Sequence, residues 1–283
     1  MQGFLMTGAL MGDVSGSWYE WHNTKEKPKE LITDRDHFTD DSVLTYAVAD
    51  GILRGLEEAD RSRLFVDEEM QAQVRSSIAR SVRDFTLRYP SAGYGGRFLA
   101  WAREGSMEPY GSWGNGAAMR ASFCGWLAES LEEAKLFARL SAEITHNHAY
   151  GIKGAGAVAA CIYLLRTGAG KEEIQKYAGE LYDMKFTLDT IRPSYSFDVS
   201  CEGSVPQAIE AFLEGEDFSD VIRLAISIGG DSDTIAAIAG SLAEAYEPAP
   251  EDLRERALAK LDDFLRETAV RISEPLTPPV YWT

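Results

Sequence analysis

The sequence is short of positive charge and of long apolar runs, and each shortage excludes a class of protein. Its 283 residues carry 28 Lys and Arg against 45 Asp and Glu, which gives a formal net charge of −17. Because nucleic acids and anionic membranes bind clustered positive charge, we expect no direct binding to either one. No stretch approaches the roughly 18 apolar residues of a membrane-spanning helix.

Cysteine is also scarce, occurring only as Cys124, Cys161 and Cys201, with no CxxC pair. An odd number without paired spacing is typical of neither a disulfide framework nor a thiolate zinc site. Cys124 and Cys161 lie in apolar stretches, where buried and unreactive thiols are expected. The first residues, Met1 to Thr7, lack the basic start of a secretion signal. We therefore expect a cytoplasmic protein.

Apolar residues recur at helical spacing along almost the whole chain, and alternating strand patterns are nearly absent. The helical spacing covers 43–53, 70–85, 132–146, 152–166, 171–183, 205–213, 218–228, 233–246 and 250–271. Residues 167–200 are the least regular stretch. No linker, shift of charge or repeat divides the chain. The sequence predicts an all-α fold, a single compact multi-helix domain over 1–283 with about ten or more helices.

Glycine clusters at 93–96, 111–116 and 229–230 mark connecting loops, either as ligand loops or as tight turns. A fourth glycine motif, Gly154 to Ala159, matches the GxGxxA pattern of dinucleotide-binding proteins. That pattern requires a preceding β-strand, whereas a polar segment, Thr145 to Gly151, comes before it. We interpret these small residues as allowing close packing of a helix.

Two groups of aspartates begin apolar helical segments. Asp40 and Asp41 lie within Thr39-Asp40-Asp41-Ser42, and Asp231 and Asp233 lie within Asp231-Ser232-Asp233-Thr234. Alone, each group is typical of helix capping. Together they supply more negative charge than a cap uses, and close carboxylates repel one another unless a cation lies between them. Hard oxygen ligands favour Mg²⁺ or Mn²⁺, and four carboxylates suit two ions, provided that the two helix starts meet.

Other motifs accompany these groups in order along the chain. They are Gly8-Ala9-Leu10-Met11-Gly12-Asp13-Val14-Ser15-Gly16-Ser17-Trp18-Tyr19-Glu20, Gly111-Ser112-Trp113-Gly114-Asn115-Gly116-Ala117-Ala118-Met119-Arg120, Thr145-His146 and Ser204-Val205-Pro206-Gln207-Ala208-Ile209. With the two acidic groups they cover residues 4–246 and resemble the ADP-ribosylglycohydrolase family. The resemblance implies an all-α fold whose central cleft holds two Mg²⁺ ions, for which Mn²⁺ can substitute.

The resemblance also assigns roles to residues. The implied metal ligands are Thr39, Asp40, Asp41, Asp231, Asp233 and Thr234. Glu20 matches a glutamate on a mobile N-terminal loop that gates the family's cleft; the alternative is a solvated acid beside Trp21 and His22. The form Trp18-Tyr19-Glu20 is closest to the branch of the family that acts on ADP-ribosylserine.

The glycine-rich segment 111–116 is the expected substrate site. A diphosphate approaching a protein of this charge needs local attraction, which backbone amides in a loop can supply. The residues assigned to the site are Gly111, Ser112, Trp113, Gly114, Asn115, Gly116 and His146. Trp113 offers a face on which adenine can stack, and His146 matches a family histidine near the phosphates.

We expect a Mg²⁺-dependent hydrolase that removes mono-ADP-ribose from a protein side chain, with serine favoured. Glu20 is the expected acid/base group, because metal binding depresses the pKa of a ligand such as Asp41, which is expected to help place the water. Alternatives with the same chemistry are hydrolysis of ADP-ribosylarginine or of O-acetyl-ADP-ribose. A different class would bind ADP-ribose without cleaving it, or serve structurally like a crystallin. The expected partner is an ADP-ribosylated protein or a small molecule containing ADP-ribose, and the expected state is a monomer.

Overall fold

The chain folds as a bundle of α-helices. The structure is a computed structural model, and it describes residues 4–57 and 60–282. The helices are α1 (Gly8–Trp21), α2 (Asp40–Glu57), α3 (Glu68–Arg88), α4 (Gly96–Glu104), α5 (Gly116–Met119), α6 (Ser122–Leu127), α7 (Leu131–Glu143), α8 (Ala149–Arg166), α9 (Lys171–Leu181), α10 (Leu188–Ile191), α11 (Cys201–Glu214), α12 (Phe218–Ser227), α13 (Ser232–Tyr246), α14 (Glu251–Ala259) and α15 (Asp263–Ser273). Short 3₁₀ turns lie at Arg61–Arg63 and Val280–Trp282. Within the described residues, β pairing is limited to one isolated bridge between Gly114 and Ser200, so the all-α prediction is confirmed.

Helix α13 is the centre of the bundle. Every residue from Ser232 to Ala245 is buried, as expected for a helix that is surrounded by protein on all sides. Helices α1, α2, α5, α8, α11 and α12 all contact it. Its sequence is rich in alanine and includes Gly240, so neighbouring helices can approach its backbone closely.

Helix α1 lies directly on α13 through a row of glycines. Gly8, Gly12 and Gly16 are spaced four residues apart and therefore share one face of α1. A Cβ built on Gly12 would lie 2.0 Å from the carbonyl oxygen of Ala236, and one built on Gly16 would lie 2.5 Å from the Cα of Asp233. The two backbones are in contact, and this contact places the last turns of α1 beside the start of α13.

The helix predictions are confirmed where apolar spacing is regular, and they are wrong in two places. The segment 250–271 contains two helices, because Asp262 begins a new helix by accepting a hydrogen bond from the amide of Leu265 at 2.9 Å. Helices α1 and α4 were not predicted; in α1 the glycines weaken the sequence signal because glycine has low intrinsic helix propensity, and α4 is only nine residues long. Residues 182–200 contain only the short helix α10.

The small-residue motif and the cysteines have the structural roles expected of them. Gly154 lies inside α8, where a Cβ would lie 2.5 Å from Sγ of Cys201. All three cysteines are buried and free. In the part of the chain that the structure describes, no helix has both the length and the apolar character needed to cross a membrane.

Replacing Gly12 with alanine is expected to destabilise the fold by about 1–3 kcal/mol, the usual cost of overpacking, because the new methyl group would overlap the backbone of α13. Urea unfolding measures this change. Gly156→Ala is the matched control, since a Cβ there meets nothing within 4 Å inside α8. Alanine at that position is expected to be neutral or to stabilise by up to about 1 kcal/mol. Equal stability of the two variants would contradict the tight contact between α1 and α13.

Candidate metal centre and substrate cleft

The beginnings of α2 and α13 meet beside a cavity of about 610 Å³. The hydroxyl of Thr234 donates a hydrogen bond to Oδ2 of Asp41 at 3.2 Å, joining two residues that are 193 positions apart in the sequence. Five acidic side chains line the cavity: Glu20, Asp40, Asp41, Asp231 and Asp233. The fold therefore brings together the two acidic groups that the sequence keeps apart.

Asp41 and Asp231, at these helix starts, do not cap their helices with their side chains. Asp231 occupies the N-cap position of α13 without a capping hydrogen bond from its side chain. Oδ1 of Asp41 is buried and has no hydrogen-bond partner among the described residues. A buried carboxylate oxygen without a donor carries a desolvation cost that a bound cation would remove.

Asp13, on α1, caps α2 instead. Its Oδ2 accepts hydrogen bonds from the amides of Thr39 at 2.9 Å and Ser42 at 3.1 Å. Its Oδ1 accepts from the hydroxyl of Thr39 at 2.8 Å, and the hydroxyl of Ser42 also donates to Oδ2. Both carboxylate oxygens are used by α2, so Asp13 positions the first acidic group. The sequence analysis did not assign Asp13 to the site, since its only signal is an acid within an apolar segment.

The acidic side chains form two overlapping clusters of oxygen atoms. Carboxylate oxygens of Asp13, Asp41 and Asp233 lie within 4.8 Å of one another, and so do those of Glu20, Asp231 and Asp233. Asp233 belongs to both clusters. Asp40 is in neither cluster, and Asp13 is engaged by α2. The shared Asp233 and the flanking Asp41 and Asp231 nevertheless leave hard oxygen ligands for neighbouring divalent cations.

Burial raises the pKa of every acid in this group. The pKa values of Asp40, Asp41 and Asp233 are held well above their ordinary range, first by burial and then by the neighbouring carboxylates. Burial and then Asp231 raise the pKa of Glu20 to about 7. Among the described residues, no lysine or arginine forms a salt bridge with any of them. None of these carboxyls is paired in a salt bridge in the described part of the chain, although Arg97 and Arg120 also line the cavity, and a bound cation would stabilise their charged form.

Glu20 lies in the last turn of α1, so the expectation that it stands on a loop is wrong. Asn23, which follows α1, is hydrogen-bonded to the backbone directly before Asp231. Its Nδ2 donates to the carbonyl of Gly230 at 3.1 Å, and its Oδ1 accepts from the amide of Gly230. Gly230 has a φ of +79°, a conformation that glycine adopts readily. Packing of α1 on α13 and this contact together hold Glu20 beside Asp231.

The glycine-rich segment borders the cavity, and most of its backbone donors are already engaged. Four of its amides donate within the protein: those of Gly111, Ser112, Gly114 and Asn115. The amides of Trp113 and Gly116 make no hydrogen bond among the described residues. The backbone can therefore offer a ligand two donors from this segment, fewer than the glycine pattern suggests.

Two side chains of this segment have different surroundings from those expected. The carboxamide of Asn115 donates to Oδ2 of Asp231 at 2.6 Å and to the hydroxyl of Ser204 at 3.0 Å. It therefore orients a candidate metal ligand. Trp113 is 53% exposed and lies outside the cavity lining.

His146 borders the same segment from the other side. It is buried, and its Nε2 would lie 3.2 Å from a Cβ built on Gly116. Its Nδ1 lies 2.7 Å from the hydroxyl oxygen of Thr145. Burial, and then the charge of Arg120, hold the pKa of His146 well below its ordinary value, so the ring is neutral at pH 7.

The opposite wall of the cavity comes from residues that the sequence analysis left unassigned. Residues 93–98, with Tyr110, Phe197 and Val199, line it. Gly93 has a φ of +113°, and a Cβ on it would lie 3.0 Å from Oδ1 of Asp40. The glycine cluster at 93–96 was the available signal, and here the ligand-loop interpretation agrees with the geometry.

Comparison with known proteins gives consistent matches. A family profile described as ADP-ribosylglycohydrolase matches residues 5–278. The chain is 26% identical over 307 residues to ADP-ribosylhydrolase ARH3 of Homo sapiens, covering 85% of this chain and 84% of the human protein. It is 26% identical over 319 residues to ADP-ribosylhydrolase ARH3 of Mus musculus, covering 88% and 85%. A solved structure described as an ADP-ribosylglycohydrolase-related protein complex has the same fold, with a TM-score of 0.63, 22% identity and 95% coverage of both chains.

Asp13→Asn is expected to weaken divalent-cation binding by roughly 10–100-fold, the usual effect of losing a residue that orients metal ligands. The side-chain nitrogen of asparagine would place a donor where a carboxylate oxygen of Asp13 now accepts hydrogen bonds from Thr39 or Ser42. The first turn of α2 would therefore shift. Titration calorimetry with Mn²⁺ measures the affinity, and thermal unfolding measures the accompanying loss of stability.

Glu244→Gln is the matched control for this experiment. Glu244 is buried on α13 and caps the start of α1 in the same way, accepting from the hydroxyl of Thr7 at 2.8 Å and the amide of Gly8 at 2.7 Å. It lies in the last turns of α13, away from the acidic clusters. We expect a comparable loss of stability with unchanged Mn²⁺ affinity. Equal losses of affinity in both variants would show that Asp13 acts only through overall stability.

Proposed function

The chain belongs to the ADP-ribosylglycohydrolase family, and from this membership we propose that it is a Mg²⁺-dependent hydrolase of the glycosidic bond at the anomeric carbon of ADP-ribose. Its proposed substrate is a protein side chain carrying mono-ADP-ribose, with serine as the acceptor. One observation carries the proposal: carboxylates from two helix starts converge, with no salt bridge among the described residues, beside a cavity that a glycine-rich segment borders. The preference for serine is supported by the form Trp18-Tyr19-Glu20.

Two Mg²⁺ ions, or Mn²⁺ in their place, are the proposed cofactors. The residues that would hold them are Thr39, Asp40, Asp41, Asp231, Asp233 and Thr234. Bound ions supply positive charge that binds the ribose hydroxyls and lowers the pKa of a water near them. Asp13 and Asn115 support this role because they orient Thr39 and Asp231 through the hydrogen bonds described above.

Glu20 is the proposed acid/base group. Its side chain is partly buried at the cavity and lies beside Asp231. A carboxylic acid held at this position can give a proton to the leaving oxygen and then take one from the attacking water. Hydrolysis at an anomeric carbon passes through an oxocarbenium-like transition state, which such proton transfers assist. Asp41 is the proposed aid to water placement, since its Oδ1 is free of other hydrogen bonds.

The diphosphate of the substrate is proposed to lie along the glycine-rich segment. The amide of Gly116, the hydroxyl of Ser112 and the ring of His146 are the donors proposed for that wall, and the amide of Trp113 is a further donor at its edge. The indole of Trp113, which is exposed at the edge of the segment, offers a stacking face for adenine. Gly111, with a φ of +68°, and Gly114, on which a Cβ would lie 3.3 Å from the carbonyl oxygen of Val199, are proposed to shape the segment, and Asn115 connects it to the metal ligands.

Release of ADP-ribose from synthetic peptides tests the reaction and the acceptor together. We expect Mg²⁺-dependent release from an ADP-ribosylserine peptide, slower release from an ADP-ribosylarginine peptide and from O-acetyl-ADP-ribose, and loss of all release with EDTA. Faster release from the arginine peptide would contradict serine as the preferred acceptor. It would still agree with the proposed hydrolysis of the glycosidic bond. Tight binding of ADP-ribose without release from any of the three substrates would show a binding protein in place of an enzyme.

Glu20→Gln is expected to lower kcat by roughly 10²–10⁴-fold, the usual contribution of a general acid/base group, because glutamine cannot transfer the proton. Affinity for ADP-ribose, measured by calorimetry, should change little. Glu26→Gln makes the same chemical change at an exposed residue of the following segment and should leave kcat unchanged. Wild-type turnover in Glu20→Gln would contradict the assigned role.

A further inference from the structure

Arg120 is a buried cation without an anionic partner. It has an exposure of 0%, and no carboxylate forms a salt bridge with it among the described residues. Its Nη2 donates to the carbonyl of Ser141 at 3.0 Å and to the hydroxyl oxygen of Thr145 at 2.9 Å. A guanidinium group can only donate hydrogen bonds. The Thr145 oxygen is therefore an acceptor in this contact.

The hydroxyl proton of Thr145 has one acceptor within reach. Its oxygen lies 2.7 Å from Nδ1 of His146, and no other hydrogen bond of this hydroxyl is found in residues 4–57 and 60–282. If Nδ1 carried a proton, Arg120 and His146 would both donate to the oxygen, and the buried hydroxyl proton would have no acceptor. Such an unsatisfied group costs about 1–3 kcal/mol. The favoured arrangement has Thr145 donating to Nδ1, and the ring proton is then on Nε2.

The Nε2 atom lies beside the glycine-rich segment that borders the cavity. It would lie 3.2 Å from a Cβ on Gly116 and 3.5 Å from a Cβ on Gly114, and His146 lines the cavity. Nε2 has no hydrogen-bond partner within the described part of the chain. Next to it, the amide of Gly116 is also without one. Two N–H donors without partners among the described residues therefore lie on neighbouring residues at the cavity, which is a suitable arrangement for an anionic oxygen.

We propose that Arg120 and Thr145 form a relay that fixes His146 as the neutral Nε2–H tautomer and so directs a hydrogen-bond donor at a phosphate oxygen of the ligand. The identity of that ligand as ADP-ribose rests on the proposed function. Thr145 lies outside the cavity lining, and Arg120 borders the cavity but has an exposure of 0%, so both are positioning residues. The relay supplies a donor without adding a second positive charge beside Arg120, where an imidazolium ring would be repelled.

Long-range ¹H–¹⁵N spectra of the histidine side chains test the relay directly. The protein has four histidines, so the His146 signals are assigned by their loss in His146→Gln. In the wild-type protein without ligand, we expect Nδ1 to have the shift of an unprotonated ring nitrogen and Nε2 that of a protonated one. A protonated Nδ1 would overturn the proposal, whatever the catalytic activity.

A pair of Thr145 variants then tests the cause of the tautomer. Thr145→Val removes the hydroxyl at nearly constant volume, and Thr145→Ser keeps it. We expect the valine variant to lose the donor that holds Nδ1 unprotonated, so that its Nδ1 signal moves away from the wild-type shift as both tautomers become populated. We also expect it to lose about tenfold in affinity for ADP-ribose, the effect of one hydrogen bond. The serine variant should retain the wild-type tautomer and affinity. Identical spectra for the two variants would contradict the relay.

The two measurements separate the relay from the proposed function. The tautomer is read in the free protein, so it does not depend on hydrolysis or on any ligand. The expected wild-type spectrum in a protein that neither binds nor releases ADP-ribose would support the relay and contradict the proposed function. Mg²⁺-dependent release of ADP-ribose together with a protonated Nδ1 would support the function and contradict the relay.

Discussion

Repulsion among carboxylates that share one poorly hydrated space is the constraint on which the rest of this structure depends. The acidic groups at the starts of α2 and α13, together with Glu20, line the same cavity, and no basic side chain of the described residues pairs with them. Burial and mutual repulsion raise their pKa values. A fold that gathers such groups without neutralising them is arranged to bind positive charge from solution, and the unpartnered Oδ1 of Asp41 marks where that charge is needed.

Capping hydrogen bonds connect the three helices that hold the site, α13, α1 and α2. Glu244 of α13 caps the start of α1, and Asp13 of α1 caps the start of α2. Each buried acid fixes the position of the next helix by accepting hydrogen bonds from its first amides. The glycine contact between α1 and α13 then sets the distance between the two backbones. As a result, the aspartates at the start of α2 are not needed to cap that helix.

The sequence predicted the acidic residues of the site better than the residues that hold them in position. Apolar spacing located α2 and α13, and the excess of acid at their starts indicated cations, because both signals are local. Helix α1 was not predicted, since glycines that weaken a helix in isolation are required here by contact with α13. Asp13 could not be identified because its partners, Thr39 and Ser42, are distant in sequence. The engaged amides of Gly111 to Asn115 depend on residues such as Asn147 and Val199, which only the folded chain brings near.

The most direct measurement of the central claim is anomalous diffraction from crystals of the protein grown with Mn²⁺. The account predicts two manganese peaks, roughly 3.5–4 Å apart, in the cavity between the starts of α2 and α13. Carboxylate oxygens from both helix starts should ligate them, and Asp13 should remain hydrogen-bonded to Thr39. Absence of manganese at this position, or ions bound by only one of the two helix starts, would contradict the claim.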